Sequence, residues 1–145
     1  MASAIGEILL AIREMLTLRT NQIQVTVIAV NHNPILLEGI AVLIWSQPDM
    51  QLMGTADGVD SGIRLYLETR PVITLLDLDL PGSSAIGAIG RIRAVDTKAR
   101  VIGLTTYELD KSSSEAFAAG AARIIATDQV CETLVDLIRE VADQR

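Results

Sequence analysis

The sequence has little of several residue types that mark specialised proteins. It contains a single cysteine, Cys131, so no disulfide can form within the chain and nothing indicates an oxidising compartment. Its single histidine, His32, excludes a zinc site assembled from several histidines and cysteines. The twelve basic residues are scattered and the formal net charge is -6, which is unlike a surface that binds nucleic-acid phosphates. We therefore expect a cytoplasmic protein that does not bind nucleic acid directly.

A long uninterrupted apolar run is also missing. Residues 5–18 are apolar enough to suggest a targeting segment, but Glu7, Arg13 and Glu14 interrupt them and no basic region or cleavage site is visible. The apolar positions recur at helical spacing: Ile5, Ile8, Leu9, Ile12, Met15 and Leu16. They predict an amphipathic helix over residues 3–18, which either folds back onto its own domain or pairs with a partner helix or a second copy in a homodimer.

Half of all residues in the chain are hydrophobic (50%), and the part that follows this helix has the length of one compact domain. We predict a helix and connection over residues 1–22 and a domain over 23–145. Strands are expected over 25–30, 51–56, 72–77, 100–105 and 123–126, and helices over 34–45, 60–68, 84–95, 111–119 and 131–141. Five strands that alternate with five helices predict an α/β fold with a doubly wound parallel sheet and helices on both faces.

The stretch from Val72 to Gly82 carries the most specific pattern. A nearly continuous apolar run ends abruptly at Asp77, which is typical of a strand buried on both faces. Asp79 follows two residues later, and Pro81 and Gly82 predict a turn. Ligands of open α/β sheets bind at the carboxyl ends of the strands, so Asp77 is the first candidate for a functional site.

The other predicted strands also end in polar residues. These are Asn31 and His32, Thr105 and Thr106, and Thr127 and Asp128. Carboxylates and hydroxyls at one edge suit a hard cation and a phosphoryl group. A carboxylate can bind Mg²⁺ or attack phosphorus to form an aspartyl phosphate, and a hydroxyl can donate to a phosphoryl oxygen.

Four short motifs make the family resemblance specific. They are Pro34 with Glu38-Gly39, the run from Leu75 to Gly82, Leu104 to Tyr107, and Ala119-Gly120-Ala121. Residues 24–142 with these motifs resemble receiver domains of two-component response regulators, of the NarL/FixJ type. The resemblance implies a flavodoxin-like sheet with strand order 2-1-3-4-5, a signalling role instead of catalysis, and a histidine kinase or another signalling protein as partner.

The resemblance assigns roles to the residues that match. Asp77 falls on the phosphoacceptor, and Thr105, with Thr106 beside it, on the hydroxyl position that binds the phosphoryl group. Asp79 falls where a backbone carbonyl binds Mg²⁺. Asn31 and His32, however, replace the acidic pair that holds the metal.

Two further positions depart from the family. Thr127 replaces a lysine and Ile124 replaces an aromatic switch residue. Because phosphoryl transfer depends on positioning and charge neutralisation, we expect weak or absent phosphorylation at Asp77 and at most weak Mg²⁺ binding by Asp77 and Asp79. The expected function is an atypical receiver that acts through protein–protein interaction.

Several alternatives stay open. The Asp79 side chain either turns inward to restore a charge or is a solvated loop carboxylate, and His32 either caps a helix or pairs with Asp77 and responds to pH near neutrality. Asp77 and Asp79 are also similar to the nucleophile and acid of haloacid-dehalogenase-type phosphatases, with Thr105 as a second motif. That family needs a downstream lysine and acidic pair, whereas Lys111 lies at a predicted helix start.

Overall fold

The computed structural model describes residues 3–81, 84–106 and 111–144. The predicted turn at Gly82 and the predicted loop from Tyr107 to Asp110 lie outside the described residues. Within these ranges the chain forms α1 (Ala4–Gln22), β1 (Val25–Val30), α2 (Pro34–Trp45), β2 (Met50–Ala56), α3 (Val59–Thr69), β3 (Ile73–Asp77), α4 (Ala85–Val95), β4 (Val101–Thr105), α5 (Lys111–Ala119), β5 (Arg123–Ala126), a 3-10 turn (Thr127–Gln129) and α6 (Val130–Asp143).

The five strands form one parallel sheet in the order β2-β1-β3-β4-β5, which confirms the predicted fold class and strand order. β3 lies at the centre, and all five of its residues are buried. The register between β1 and β2 shifts after Val27, where Met53 is an extra residue on the edge strand. The order reverses at β1 and β3, so the carboxyl ends of these two strands flank a crevice.

Helices cover both faces of the sheet. α2 and α6 bury Ile40, Ile44 and Leu134 against one face. α3, α4 and α5 cover the other face through residues such as Ile89 and Ala116. Because apolar side chains point from β1, β3 and β4 to both faces, the three central strands are almost entirely buried.

Local signals explain where several helices begin and end. The Asn33 side chain accepts from the N–H groups of Ile35 and Leu36, and Pro34 is the first residue of α2. Ser84 caps α4 instead of lying within it as predicted, since its hydroxyl accepts from the N–H of Gly87 at 3.0 Å. Gly120 follows α5 with a φ of 116°, a conformation that favours glycine.

The N-terminal helix is present, but it extends beyond the predicted end at residue 18 and continues to Gln22. Its large apolar side chains are 47–71% exposed: Ile5, Ile8, Leu9, Leu10, Ile12, Met15, Leu16 and Leu18. Its C-terminal half borders an apolar trough formed with α2 and β2, which Leu16, Val42 and Trp45 line. α1 therefore does not bury its stripe on its own domain.

Three large apolar residues of the domain helices are exposed. Ile35 lies in the first turn of α2 and Val95 in the last turn of α4, and both helix ends extend past the core. Leu67 in α3 is also exposed, whereas that helix buries Val59 and Tyr66 on its sheet-facing side. None of the helices in the described ranges has the length and hydropathy of a membrane-spanning segment.

Candidate functional site

Asp77 is the last residue of the central strand, and its carboxylate lies at the carboxyl edge of the sheet. The residue is only 4% exposed. Pairing with β4 continues just beyond it, because the N–H of Leu78 donates to the carbonyl of Leu104 at 2.8 Å. The pairing of Asp77 with Leu104 of β4 and this hydrogen bond thus fix the position of the Asp77 backbone.

His32 contacts Asp77 directly. Its Nδ1 lies 2.5 Å from Oδ2 of Asp77, and the imidazole side chain is 49% exposed while the carboxylate is buried. When the carboxylate is ionised it can only accept a hydrogen bond, and Nδ1 of His32 is then the donor. Of the two alternatives for His32, the structure shows the contact with Asp77; the cap of α2 is Asn33.

Asp79 connects Asp77 to the end of β4. Its backbone N–H donates to Oδ1 of Asp77 at 2.8 Å. Its own Oδ2 accepts from both the N–H of Thr106 at 3.0 Å and the hydroxyl of Thr106 at 2.8 Å. The Asp79 carboxylate is exposed, yet it is held by these two hydrogen bonds and is neither free in solvent nor bonded to Asp77.

Asn31 is buried at the end of β1, and its side-chain oxygen accepts from the N–H of Asn33 at 2.8 Å. Thr105 is also buried, at the end of β4, whereas Thr106 is exposed. Asn31 and Thr106 line the same cleft as Asp77, of about 630 Å³. The strand ends therefore do bring the predicted polar residues together.

The two remaining candidate positions lie on or after β5. β5 ends at Ala126, as predicted, and a 3-10 turn begins at Thr127. Thr127 lines the cleft. Ile124 lies within β5, half-buried, and packs against the core between the sheet and α3 to α5. Neither side chain offers the positive charge that the lysine position of the family supplies.

The residues of this cleft do not fit a divalent cation well. In the described part of the chain, no three or more histidine, cysteine, aspartate or glutamate side chains are grouped to hold a metal ion. Both Asp77 oxygens and the Asn31 oxygen already accept hydrogen bonds from within the chain. A hard cation prefers six or more oxygen ligands, and here an imidazole contacts the Asp77 carboxylate while the Asp79 carboxylate bonds Thr106.

Sequence reasoning missed two features of the cleft. One wall is apolar, because Ile35, Leu36 and Leu43 of α2 face Val130 of α6 across it. The hydrogen bonds between Asp79 and Thr106 were also not predicted. The sequence shows that both residues follow strands, but side-chain direction after a strand end depends on the turn and has no pattern in the sequence.

The comparisons with known proteins agree on one family. A family model described as the response regulator receiver domain matches residues 27–139. The chain is 30% identical over 122 residues to the uncharacterised transcriptional regulatory protein YxjL of Bacillus subtilis, covering 84% of this chain and 56% of that protein. It is 25% identical to the nitrate/nitrite response regulator protein NarL of Escherichia coli, over 85% of this chain and 57% of that protein.

Solved structures agree with this. A two-component response regulator of the LuxR family from Aurantimonas shares 31% identity and a TM-score of 0.77, with 82% of this chain and 85% of that chain covered. The receiver domain of a NarL from Mycobacterium tuberculosis has a TM-score of 0.79 at 21% identity, over 85% and 99% of the two chains, and shows the shared fold. The chain spans little more than half the length of the curated relatives above.

Proposed function

The chain belongs to the response regulator receiver domain family of two-component systems, and on that premise we propose that it is an atypical receiver that signals by protein–protein interaction. Phosphorylation of Asp77 would be weak or absent. Receiver domains are in general signalling modules and not enzymes, and no feature of the cleft favours the alternative phosphatase that would use Asp77 and Asp79.

The contact between His32 and Asp77 is the observation that supports this proposal most directly. A phosphoacceptor needs one carboxylate oxygen free to attack phosphorus. In this chain Oδ2 is bonded to His32 and Oδ1 to the N–H of Asp79. Attack on phosphorus would therefore compete with these hydrogen bonds, and position 127 carries threonine in place of a lysine that would neutralise the incoming charge.

Mg²⁺ is the cation that receiver domains typically bind beside the phosphoacceptor. We propose that Asp77 and the backbone carbonyl of Asp79 would hold it weakly, if it binds at all, because Asn31 and His32 supply no carboxylate. When bound, the cation supplies charge neutralisation for a phosphoryl group. The residues of this chain contribute position and hydrogen bonds but little compensating charge.

The partner is expected to be a histidine kinase or another signalling protein in the cytoplasm. Receiver domains of response regulators interact with histidine kinases, and the acidic chain, with a net charge of -6, gives no reason to expect direct contact with nucleic acid. This chain spans about half the length of its curated relatives. The proposal therefore concerns this domain and assigns no output, such as DNA binding, to the whole protein.

A homodimer through α1 is the second part of the proposal. Ile5, Ile8, Ile12 and Met15 follow the 3-4-3 spacing of a heptad seam over two repeats, and all four side chains are more than 45% exposed. Short helices are marginal in water unless they bury an apolar face. The exposed apolar surface also continues over the trough to Val42 and Trp45, which would widen an interface beyond the helix.

Phosphoryl acceptance can be tested directly at Asp77. The chain is incubated with acetyl phosphate and Mg²⁺ and its intact mass is measured; beryllofluoride binding is followed in parallel by fluorine NMR. We expect little or no adduct. As a positive control, the variant with Asn31→Asp, His32→Asp and Thr127→Lys should gain an adduct. Stoichiometric modification of the natural chain that disappears in Asp77→Asn would refute the proposal.

Dimerisation can be tested by light scattering on the full chain. We expect a dimer that becomes a monomer in Ile12→Glu, because a charge would enter the seam. Thr17→Glu adds the same charge on the side of α1 opposite the seam and should leave the dimer intact. A monomer before any substitution, or equal effects of the two variants, would show that the helix seam does not join two copies.

A further inference from the structure

Asp79 occupies an unusual place among the candidate site residues. Its backbone N–H bonds Asp77 on β3, and its side chain bonds Thr106 just after β4. One residue thus bridges the ends of two neighbouring strands across the cleft. A fully solvated carboxylate at this position would keep the backbone contact with Asp77 but would not bond Thr106.

The two donors that Asp79 engages lie next to Thr105, the residue that matches the hydroxyl position of the family, and they could also serve an oxyanion. Thr106 offers one backbone N–H and one hydroxyl at the mouth of the cleft, and both point to Oδ2 of Asp79 at 3.0 and 2.8 Å. Hydrogen bonds to an ionised carboxylate are stronger than those to neutral acceptors. An oxyanion entering the cleft would have to displace the Asp79 carboxylate before it could bind Thr106.

We propose that the carboxylate of Asp79 is a built-in substitute for the phosphoryl group, one that holds Thr106 and the end of β4 in place without phosphorylation. The inference rests on the proposed function and deepens it. His32 contacts the other side of Asp77, so Asp77 and Thr106 both have partners within the chain. Asp79 acts here as a positioning residue.

Asp79 would influence the elements that lie next to Thr106 in the fold. β4 pairs with β5, and α5 packs against β4 and α4. A fixed Thr106 therefore fixes the point where the chain leaves the sheet towards α5. In this chain that point is set by a side chain that is always present, so the position of Thr106 does not depend on phosphorylation by a kinase.

The amide resonance of Thr106 reports on the proposal directly. In the full chain labelled with ¹⁵N, Asp79→Ala removes the acceptor and should move the Thr106 amide proton upfield, whereas Asp79→Asn keeps an acceptor oxygen without the charge and should produce a smaller shift in the same direction. Asp128→Ala is the matched control, since it removes an exposed carboxylate from the same cleft and should leave Thr106 in place. An unchanged Thr106 amide in Asp79→Ala would overturn the proposal.

Competition with an oxyanion gives the second readout. In the variant with Asn31→Asp, His32→Asp and Thr127→Lys, adding Asp79→Ala should free the Thr106 donors and tighten beryllofluoride binding by about tenfold, the effect of one charge-assisted hydrogen bond. Equal or weaker binding would also overturn it. If neither form binds beryllofluoride, the Thr106 amide decides alone.

The two proposals can fail separately. Phosphorylation of the natural chain would refute the atypical receiver even if Asp79 holds Thr106. An unmoved Thr106 amide would refute the role of Asp79 even if Asp77 never accepts a phosphoryl group. The two measurements also use different variants, so one result does not stand in for the other.

Discussion

β3 and α1 are both apolar segments of the same chain, yet they bury their side chains to opposite extents. Every residue of β3 is at most 4% exposed, whereas the large apolar side chains of α1 are 47–71% exposed. The difference follows from position in the chain. β3 lies between strands and under helices carried to both faces by the crossovers, while α1 precedes the first strand and no crossover brings it onto the sheet.

This difference separates two kinds of apolar residue. Those of the sheet stabilise the fold, because each is removed from water when the chain folds. Those of α1 can stabilise only an association with something else. Substitutions of equal chemistry in the two segments should therefore change different measurable quantities.

The largest expected contrast is between Leu75→Ala in β3 and Ile12→Ala in α1. Leu75 is almost fully buried, so its truncation leaves a cavity and should cost about 2–5 kcal/mol in the free energy of unfolding. Ile12 is 47% exposed, and its truncation should change the stability of the monomer by less than about 0.5 kcal/mol. Urea unfolding at low protein concentration measures both; a similar loss in the two variants would mean that α1 is part of the folded core.

Two helical glycines extend the comparison to a helix position packed against the sheet and one that faces open space. A Cβ at Gly62 in α3 would lie 2.9 Å from both methyl groups of the buried Val30, whereas a Cβ at Gly90 in α4 would meet nothing within 4 Å. We expect Gly62→Ala to destabilise the fold by about 1–3 kcal/mol through overpacking. Gly90→Ala should stabilise it by about 0.5–1 kcal/mol, because alanine is the better helix former.

Thermal unfolding of these two variants, monitored by circular dichroism, gives the sign of each effect. Opposite shifts of the midpoint are expected from the same chemical change. A stabilising Gly62→Ala would show that α3 can move away from β1 at little cost, and that the contact with Val30 is looser than the structure indicates.

Most of the fold could be predicted from the sequence because its elements have strong periodic signals. The apolar run before Asp77, the Asn33-Pro34 start of α2 and the Gly120 stop after α5 are local signals, and the strand order follows from the family resemblance. The exposure of Ile35 and Val95 was not predictable in this way. Both residues fit a helical apolar pattern, and only the length of the sheet beneath them decides that they extend past the core.

The candidate site likewise has some features that the sequence predicts and others that it does not. That Asp77, His32 and Thr106 lie at one edge could be predicted, because parallel strands share a carboxyl edge. The contact between His32 and Asp77 was one of two alternatives that the sequence left open, and the contact between Asp79 and Thr106 was not predicted, since both depend on loop conformation. The roles of these residues in binding or signalling stay predictions for the experiments described above.

The smallest expected effect concerns Tyr66, a buried side chain whose hydroxyl bonds a residue at the end of another helix. Its ring is 1% exposed, and its hydroxyl donates to Oδ2 of Asp96 at 2.8 Å, so α3 is joined to the end of α4. Tyr66→Phe keeps the packing and loses the hydrogen bond, which should cost about 1 kcal/mol in the free energy of unfolding at neutral pH.

The pH dependence of that contribution has a defined sign. Burial, with the hydrogen bond to Asp96 as the next cause, raises the pKa of Tyr66 to about 12 from an ordinary value of 10.0. A raised pKa in the folded state means that the stabilisation is complete below pH 10 and is lost as the pH rises through about 12. The stability difference between the natural chain and Tyr66→Phe should therefore shrink over that window. Tyrosinate absorbance measured in a Tyr107→Phe background isolates the Tyr66 hydroxyl, and ionisation there near pH 10 would show that burial and Asp96 do not protect it.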